Sequence, residues 1–297
     1  MIIMFMLSVA ILMLSVILRP EGPMSGAGDA VRLCLGALIP SLFPLFVLNR
    51  MLISSGAAVR FFVRFGKPFA KLFRLPPSSA AAVILGLLSG YPTGAKIAAE
   101  LFEKELISEN DLRRLTGFCN NAGPIFITGS VGVGMLGSSK SGIFLLAVHI
   151  VSAVTVGLIF TIGAEGGNYK TYSPPPMKMS AAKLFTDSVS GSCADISVIC
   201  GYVIFFGMLM SYANPETAVG KVLYILCEMT NSCRILAKSG GKFCLPLISA
   251  ALGWGGLCVH AQSFSVIRHK KTYLAGKFLQ GMISFVISAV LLQFVRF

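Results

Sequence analysis

Apolar residues in this chain gather into long runs, and the runs are of two kinds. Residues 29–54, 140–163, 187–213 and 272–296 read as unbroken segments, each near or above the roughly 20 apolar residues that a membrane helix needs. Pro40 and Pro44 predict a kink in the first of them. Four other runs carry polar or helix-breaking residues in their middles. The interruptions are Gly90-Tyr91-Pro92-Thr93-Gly94 in 79–104, Asn120-Asn121-Ala122-Gly123-Pro124 in 116–137, Glu228-Met229-Thr230-Asn231 in 219–238, and Gly253-Trp254-Gly255-Gly256 in 243–266. Each side of the Gly90–Gly94 break has about ten apolar residues, roughly 15 Å of helix or half a bilayer. A re-entrant hairpin or a broken helix is therefore predicted over 79–104. The run Met1–Leu18 lacks the basic start and small-residue cleavage site of a signal peptide, and it is expected to be a first membrane helix.

The pattern occurs twice. Asp29-Ala30-Val31 returns about 160 residues later as Asp187-Ser188-Val189. Leu88-Ser89-Gly90-Tyr91 is matched by Ala251-Leu252-Gly253-Trp254, and Leu115-Thr116-Gly117 by Leu274-Ala275-Gly276. Duplicated halves with interrupted apolar segments point to a membrane transporter and to its binding site. The expected division is a first helix and linker over 1–28, one repeat with a connecting span over 29–163, a polar linker over 164–186, and a second repeat over 187–297. If 79–104 turns back without crossing, the halves are inverted; if it crosses, they run parallel. The basic residues around 60–74 and in the linker, which share a side in the first case, favour inversion. The fold class is thus an all-α polytopic membrane protein built from two repeats with broken or re-entrant helices.

Composition agrees. Hydrophobic residues make up 55% of the 297 residues and charged residues 12%, against about 25% charged in a soluble domain. Mean hydropathy is +0.80. The net charge of +13 raises nucleic acid as a partner, but its placement argues against it. Arg60, Arg64, Lys67, Lys71 and Arg74 draw one stripe among Phe61, Phe62, Phe65, Phe69, Leu72 and Phe73, the pattern of a basic amphipathic helix on a membrane surface or of an ordinary positive-inside loop. The stretch 100–114 is the most charged and is expected to be an exposed helical tip. The eight cysteines form no C-x-x-C pair or Cys/His cluster with metal spacing, so no metal or cofactor is expected. No serine elbow, zinc signature or paired catalytic carboxylates occur, so no catalytic residue is assigned.

Candidate chemistry sits at the interruptions, because a helix break at membrane depth must line a cavity or be buried in protein. A helix restarting at Thr93–Gly94 would aim free N–H groups inward, with Lys96 in its first turn. That is either a receptor for an anion or a structural kink. The run from Gly90 to Lys96 lacks the spacing and ending of a phosphate loop, which excludes nucleotide hydrolysis. Asn120 and Asn121 are read as substrate contacts or interhelical hydrogen bonds. Glu228, with Thr230 and Asn231, is read as a proton or ion coupler or as the partner of Lys96 or Arg234. His260 and Gln262 follow the second glycine break and are expected to correspond in place to Lys96. His149 reads as a packed helix-contact residue.

The three motifs 90–96, 120–124 and 228–231 resemble those of the YlbJ (SpoVV) family of sporulation integral membrane proteins, from about residue 25 onward. Thr93 and Gly123 stand where that family often has Ser. The resemblance implies a nucleoside-recognition Gate domain and a place in the outer forespore membrane of an endospore former. It also implies movement of dipicolinic acid, a small aromatic dicarboxylate. Transport of a nucleoside or an ion, or a non-transporting membrane scaffold, are the competing readings. The expected partners are the lipid bilayer and a small-molecule anion.

Overall fold

A computed structural model describes residues 2–164 and 180–294, and all regular structure among them is helical. Among the described residues, five helices are long and apolar enough to cross a membrane: Glu21–Ser54, Ser139–Ile159, Ala181–Met210, Cys244–Ser263 and Lys270–Leu291. The linker residues Lys170, Pro174-Pro175-Pro176 and Lys178 lie outside the described residues.

Helix α1 (Ile2–Leu18) precedes α2 (Glu21–Leu33) and α3 (Ile39–Ser54), which a π-turn at Cys34–Leu38 joins into one rod. The turn explains why two prolines do not end the rod. Pro40 has no N–H to give to Gly36, and the widened turn immediately before it takes up the mismatch. Ser15 of α1 hydrogen-bonds Tyr212 at 2.8 Å, and α1 itself is shorter than the five spans.

The expected basic stripe is real but divided. Gly66 separates α4 (Ala57–Phe65) from α5 (Lys67–Phe73), so the single surface helix read from the sequence is two. Phe61, Phe65 and Leu72 stay exposed while Phe73 is buried. The charged stretch 100–114 is also less exposed than expected. It holds the start of α8 (Glu109–Thr116), begun by a Ser108/Asp111 capping box. Arg114 is buried against Asp111 at 2.8 Å and bonds the carbonyl of Arg74. That pair pins the amphipathic segment to the bundle.

Helices α6 (Ser79–Ser89) and α7 (Thr93–Glu103) fold back on each other as a hairpin. The main-chain carbonyl of Cys119 wedges into their crossing. A Cβ on Gly94 would lie 1.9 Å from that oxygen and one on Gly86 2.3 Å from it, so only glycine fits at either place. After α8 the chain is non-helical through Asn120–Gly123, and it resumes as a π-helix at Phe126–Met135 and as α9 (Ser139–Ile159).

The second half begins with α10 (Ala181–Met210), six residues earlier than its apolar pattern suggests, started by a Ser180 cap. Helices α11 (Ala218–Cys227) and α12 (Met229–Ser239) pack together on either side of Glu228. Helices α13 (Cys244–Trp254) and α14 (Gly256–Ser263) form one span broken at Gly255, and α15 (Lys270–Leu291) closes the bundle. By order of elements, the α6–α7 hairpin therefore corresponds to α11–α12. The break at Asn120–Gly123 corresponds to that at Gly255. The sequence match of Tyr91 with Trp254 joined unlike elements: the amphipathic insertion α4–α5 has no partner in the second half, and it shifts the register.

Corresponding spans run in opposite directions. Gly26 packs on Gly207 while Arg50, at the other end of the rod, meets Gly191 and Asp195. Helix α9 likewise meets α15 at Ser152 and Ser284, 2.8 Å apart, and Gly117 touches both Phe160 and Gly276. Both pairs of helices pack antiparallel.

Candidate functional site

The helix breaks converge in pairs. A Cβ on Gly90 would lie 2.9 Å from the nitrogen of Gly123, and one on Gly256 3.1 Å from the backbone of Cys227. Tyr91 links the pairs, since its hydroxyl donates to the carbonyl of Leu252 at 3.3 Å and its oxygen lies beside Gly255. The breaks enclose a chamber of about 40 Å³ bounded by Tyr91, Gly123, Phe126, Glu228, Thr230 and Gln262, among others. That volume takes a water or two. Glu228 is the charged residue on its wall.

The Glu228 carboxylate is 1% exposed. Its Oε1 accepts the N–H of Thr230 at 3.0 Å and its Oε2 that of Asn231 at 2.5 Å. It is the N-cap of α12, where the free N–H groups and the helix dipole favour a negative charge. Neither cation that the sequence offered it is in reach. Lys96 pairs with Asp195 at 2.5 Å, and Arg234 with Asp29 at 3.5 Å.

Lys96 therefore stands elsewhere than the mid-depth anion receptor read from its spacing. It lies with Arg50, Thr93, Glu100 and Asp195 around a separate cleft of about 140 Å³. Asp195 takes Lys96 on one oxygen and Arg50 on the other at 2.7 Å, fastening the hairpin, the rod and α10 together. Pro92 and Gly94 belong to the hairpin tip and crossing and do not bound the chamber.

Of the remaining candidates, Gln262 and Thr230 bound the chamber and the asparagines do not. Asn120 donates to Ser263 Oγ at 2.9 Å, and Asn121 donates to the carbonyl of Phe118 at 2.8 Å while accepting from Gln280 at 2.9 Å. The interhelical alternative is the one observed for both. His260 faces Tyr273 at 3.0 Å and the Trp254 ring, away from any place equivalent to that of Lys96. His149 Nε2 accepts the N–H of Ala122 at 3.2 Å, which fixes its tautomer and supports the break from α9. Asn231 is buried beside Glu228.

Sequence reasoning missed two features. One is Lys277, wholly buried on α15 and bonded to the main chain of Asn120; a lysine two turns into an apolar span was the available signal. The other is an open cavity of about 600 Å³ on the far side of the chamber from Asp195, bounded by the π-turn, the π-helix and α12, with Arg32, Arg234 and Lys238 on its wall. The rod borders all three cavities, and the open one and the chamber overlap along it. Pro40 and Ser41 border the open one, Leu38 and Leu42 the chamber, and Phe46 and Arg50 the cleft at Asp195.

A curated relative is the sporulation integral membrane protein YlbJ of Bacillus subtilis (strain 168), 28% identical over 255 residues. The match covers 79% of this chain and 61% of the relative, so the chain spans less than two thirds of that protein's length. No protein-family model matches the chain. No solved structure matches it either.

Proposed function

We propose that this chain, which is similar to the sporulation integral membrane protein YlbJ, is a transporter that carries a small organic anion across its membrane. The observation that carries this reading is the chamber where the helix breaks meet inside antiparallel, repeated spans. Half-helices ending at mid-depth must be buried in protein or line a cavity, transporters set them at their substrate sites, and a scaffold has no use for them.

The cavities support an alternating mechanism. On one side the 600 Å³ cavity stands open, large enough for a small aromatic dicarboxylate. On the other the Arg50–Asp195–Lys96 cluster closes the path. Arg60, Arg64, Lys67, Lys71 and Lys183 lie toward the closed side, which supports a cytoplasmic orientation for it. Passage requires that the Asp195 cluster part while the open cavity narrows.

Two features favour an anion. Arg32, Arg234 and Lys238 make the entrance basic. Beyond it, α12 and α14 begin beside the chamber, with the positive ends of their dipoles toward it. An anion that reaches the chamber meets the Glu228 carboxylate, and repulsion between like charges is relieved if Glu228 takes up a proton. Glu228 is thus the group through which a proton would accompany the substrate. The family resemblance makes dipicolinate the substrate to try and the outer forespore membrane the place to look. Thermal unfolding of the purified protein tests the substrate class: dipicolinate should raise the unfolding temperature and uridine should not. Stabilisation by uridine alone would favour a nucleoside carrier.

A further inference from the structure

Lys277 is 0% exposed, and among the described residues it makes no ion pair. What surrounds its ammonium is a different set of groups. The main-chain oxygen of Asn120 lies 3.1 Å from Nζ, Gln280 Oε1 lies 2.6 Å from it, and the centre of the Tyr91 ring is 5.0 Å away. Two neutral oxygens and an aromatic face are donors suited to a dehydrated monovalent cation.

The arrangement is built. Gln280 is oriented by its second bond, Nε2 to Asn121 Oδ1 at 2.9 Å, so its oxygen is turned toward the lysine. Asn120 offers its carbonyl because the chain is non-helical there, and a helix would have used that oxygen for itself. Tyr91 comes from the tip of the α6–α7 hairpin, and its hydroxyl is held by Leu252. The ammonium thus draws together the hairpin tip, the Asn120 break and α15, three elements that must keep their relative places for the chamber to close.

We propose that the Lys277 ammonium is a tethered replacement for a bound alkali cation, so that the chamber closes without sodium or potassium. The site is a property of the fold. Its consequence for uptake, independence from sodium, rests on the transport reading above.

The experiment is thermal unfolding of purified protein in the chlorides of sodium, potassium, methylammonium and choline at equal ionic strength. Wild type should unfold at one temperature in all four. Lys277→Ala removes the ammonium and opens the space it filled. This variant should be less stable in choline and regain most of the loss in at least one of the three smaller cations. Lys277→Met fills the space with an apolar chain and should respond to none. Recovery of folded Lys277→Ala only when a small cation is present counts as the same rescue. The proposal is overturned by sodium or potassium stabilising wild type over choline, by Lys277→Ala gaining from no cation, or by Lys277→Met gaining as much as Lys277→Ala. No step requires transport, so a protein inert in uptake assays would remove the transport reading and leave this one standing.

Discussion

The Lys96 ammonium and the Asp195 carboxylate lie 2.5 Å apart, joining the α6–α7 hairpin to α10. Arg50 holds the other oxygen of the same carboxylate at 2.7 Å. Cutting one arm of this cluster leaves Asp195 its second cation, so folding should survive while the closed side loosens. A cysteine placed at Ile53, which borders the cleft, should react faster with a membrane-impermeant thiol reagent in Lys96→Gln than in the parent. Equal reactivity would mean that the cluster does not hold the gate.

Glu228 separates a structural role from a coupling role. Glu228→Ala removes the acceptor of two buried N–H groups, each worth about 1–3 kcal/mol when orphaned, so a large fall in unfolding temperature is expected. Glu228→Gln keeps one acceptor oxygen and the shape. It should fold and exchange substrate down its gradient but fail to accumulate it under an imposed pH gradient. Gradient-driven accumulation at the wild-type level in Glu228→Gln would assign the coupling proton elsewhere.

The close crossing of α6, α7 and the Cys119 carbonyl makes a sharp steric prediction. Gly94→Ala sets a methyl 1.9 Å from that oxygen, whereas Gly28→Ala meets nothing within 4 Å. The first should cost at least the roughly 1–3 kcal/mol typical of overpacking and lower the yield of folded protein. The second should be neutral. Size-exclusion profiles and melting of the two variants side by side decide it.

The basic entrance should act on capture rather than on turnover. Arg234→Gln and Lys238→Gln are expected to raise the KM for an organic dianion several-fold, with kcat nearly unchanged. Wild-type KM should also rise with ionic strength, since salt screens charges at an open cavity. An unchanged KM in the double variant would show that Arg234 and Lys238 do not guide substrate.

Much of this site was legible in the sequence because it is written in local punctuation. Gly90 through Gly94, Asn120 through Pro124, and Glu228 each interrupt an apolar run, and nothing but a buried break explains them there. What local pattern does not carry is the choice of partner. Lys96 lies 99 residues from Asp195, and Lys277 lies 157 from Asn120. The sequence offers each lysine many acceptors, and the fold brings only one or two of them within reach. Lys277 was also masked by Lys270 and Lys271 just ahead of it, which make the start of α15 look interfacial. The correspondence between halves went astray for a related reason. Sparse identity aligned Tyr91 with Trp254, both aromatic residues next to glycine, and only the order of hairpins and broken spans restores the pairing of Gly90 with Glu228.

Uptake of labelled dipicolinate into proteoliposomes holding the purified protein tests the central claim most directly. The account predicts saturable uptake that grows with an inward proton gradient, proceeds in sodium-free buffer, is not competed by uridine, and loses its gradient dependence in Glu228→Gln. Protein that is folded and correctly inserted, yet admits dipicolinate no faster than empty liposomes under any gradient, would contradict it.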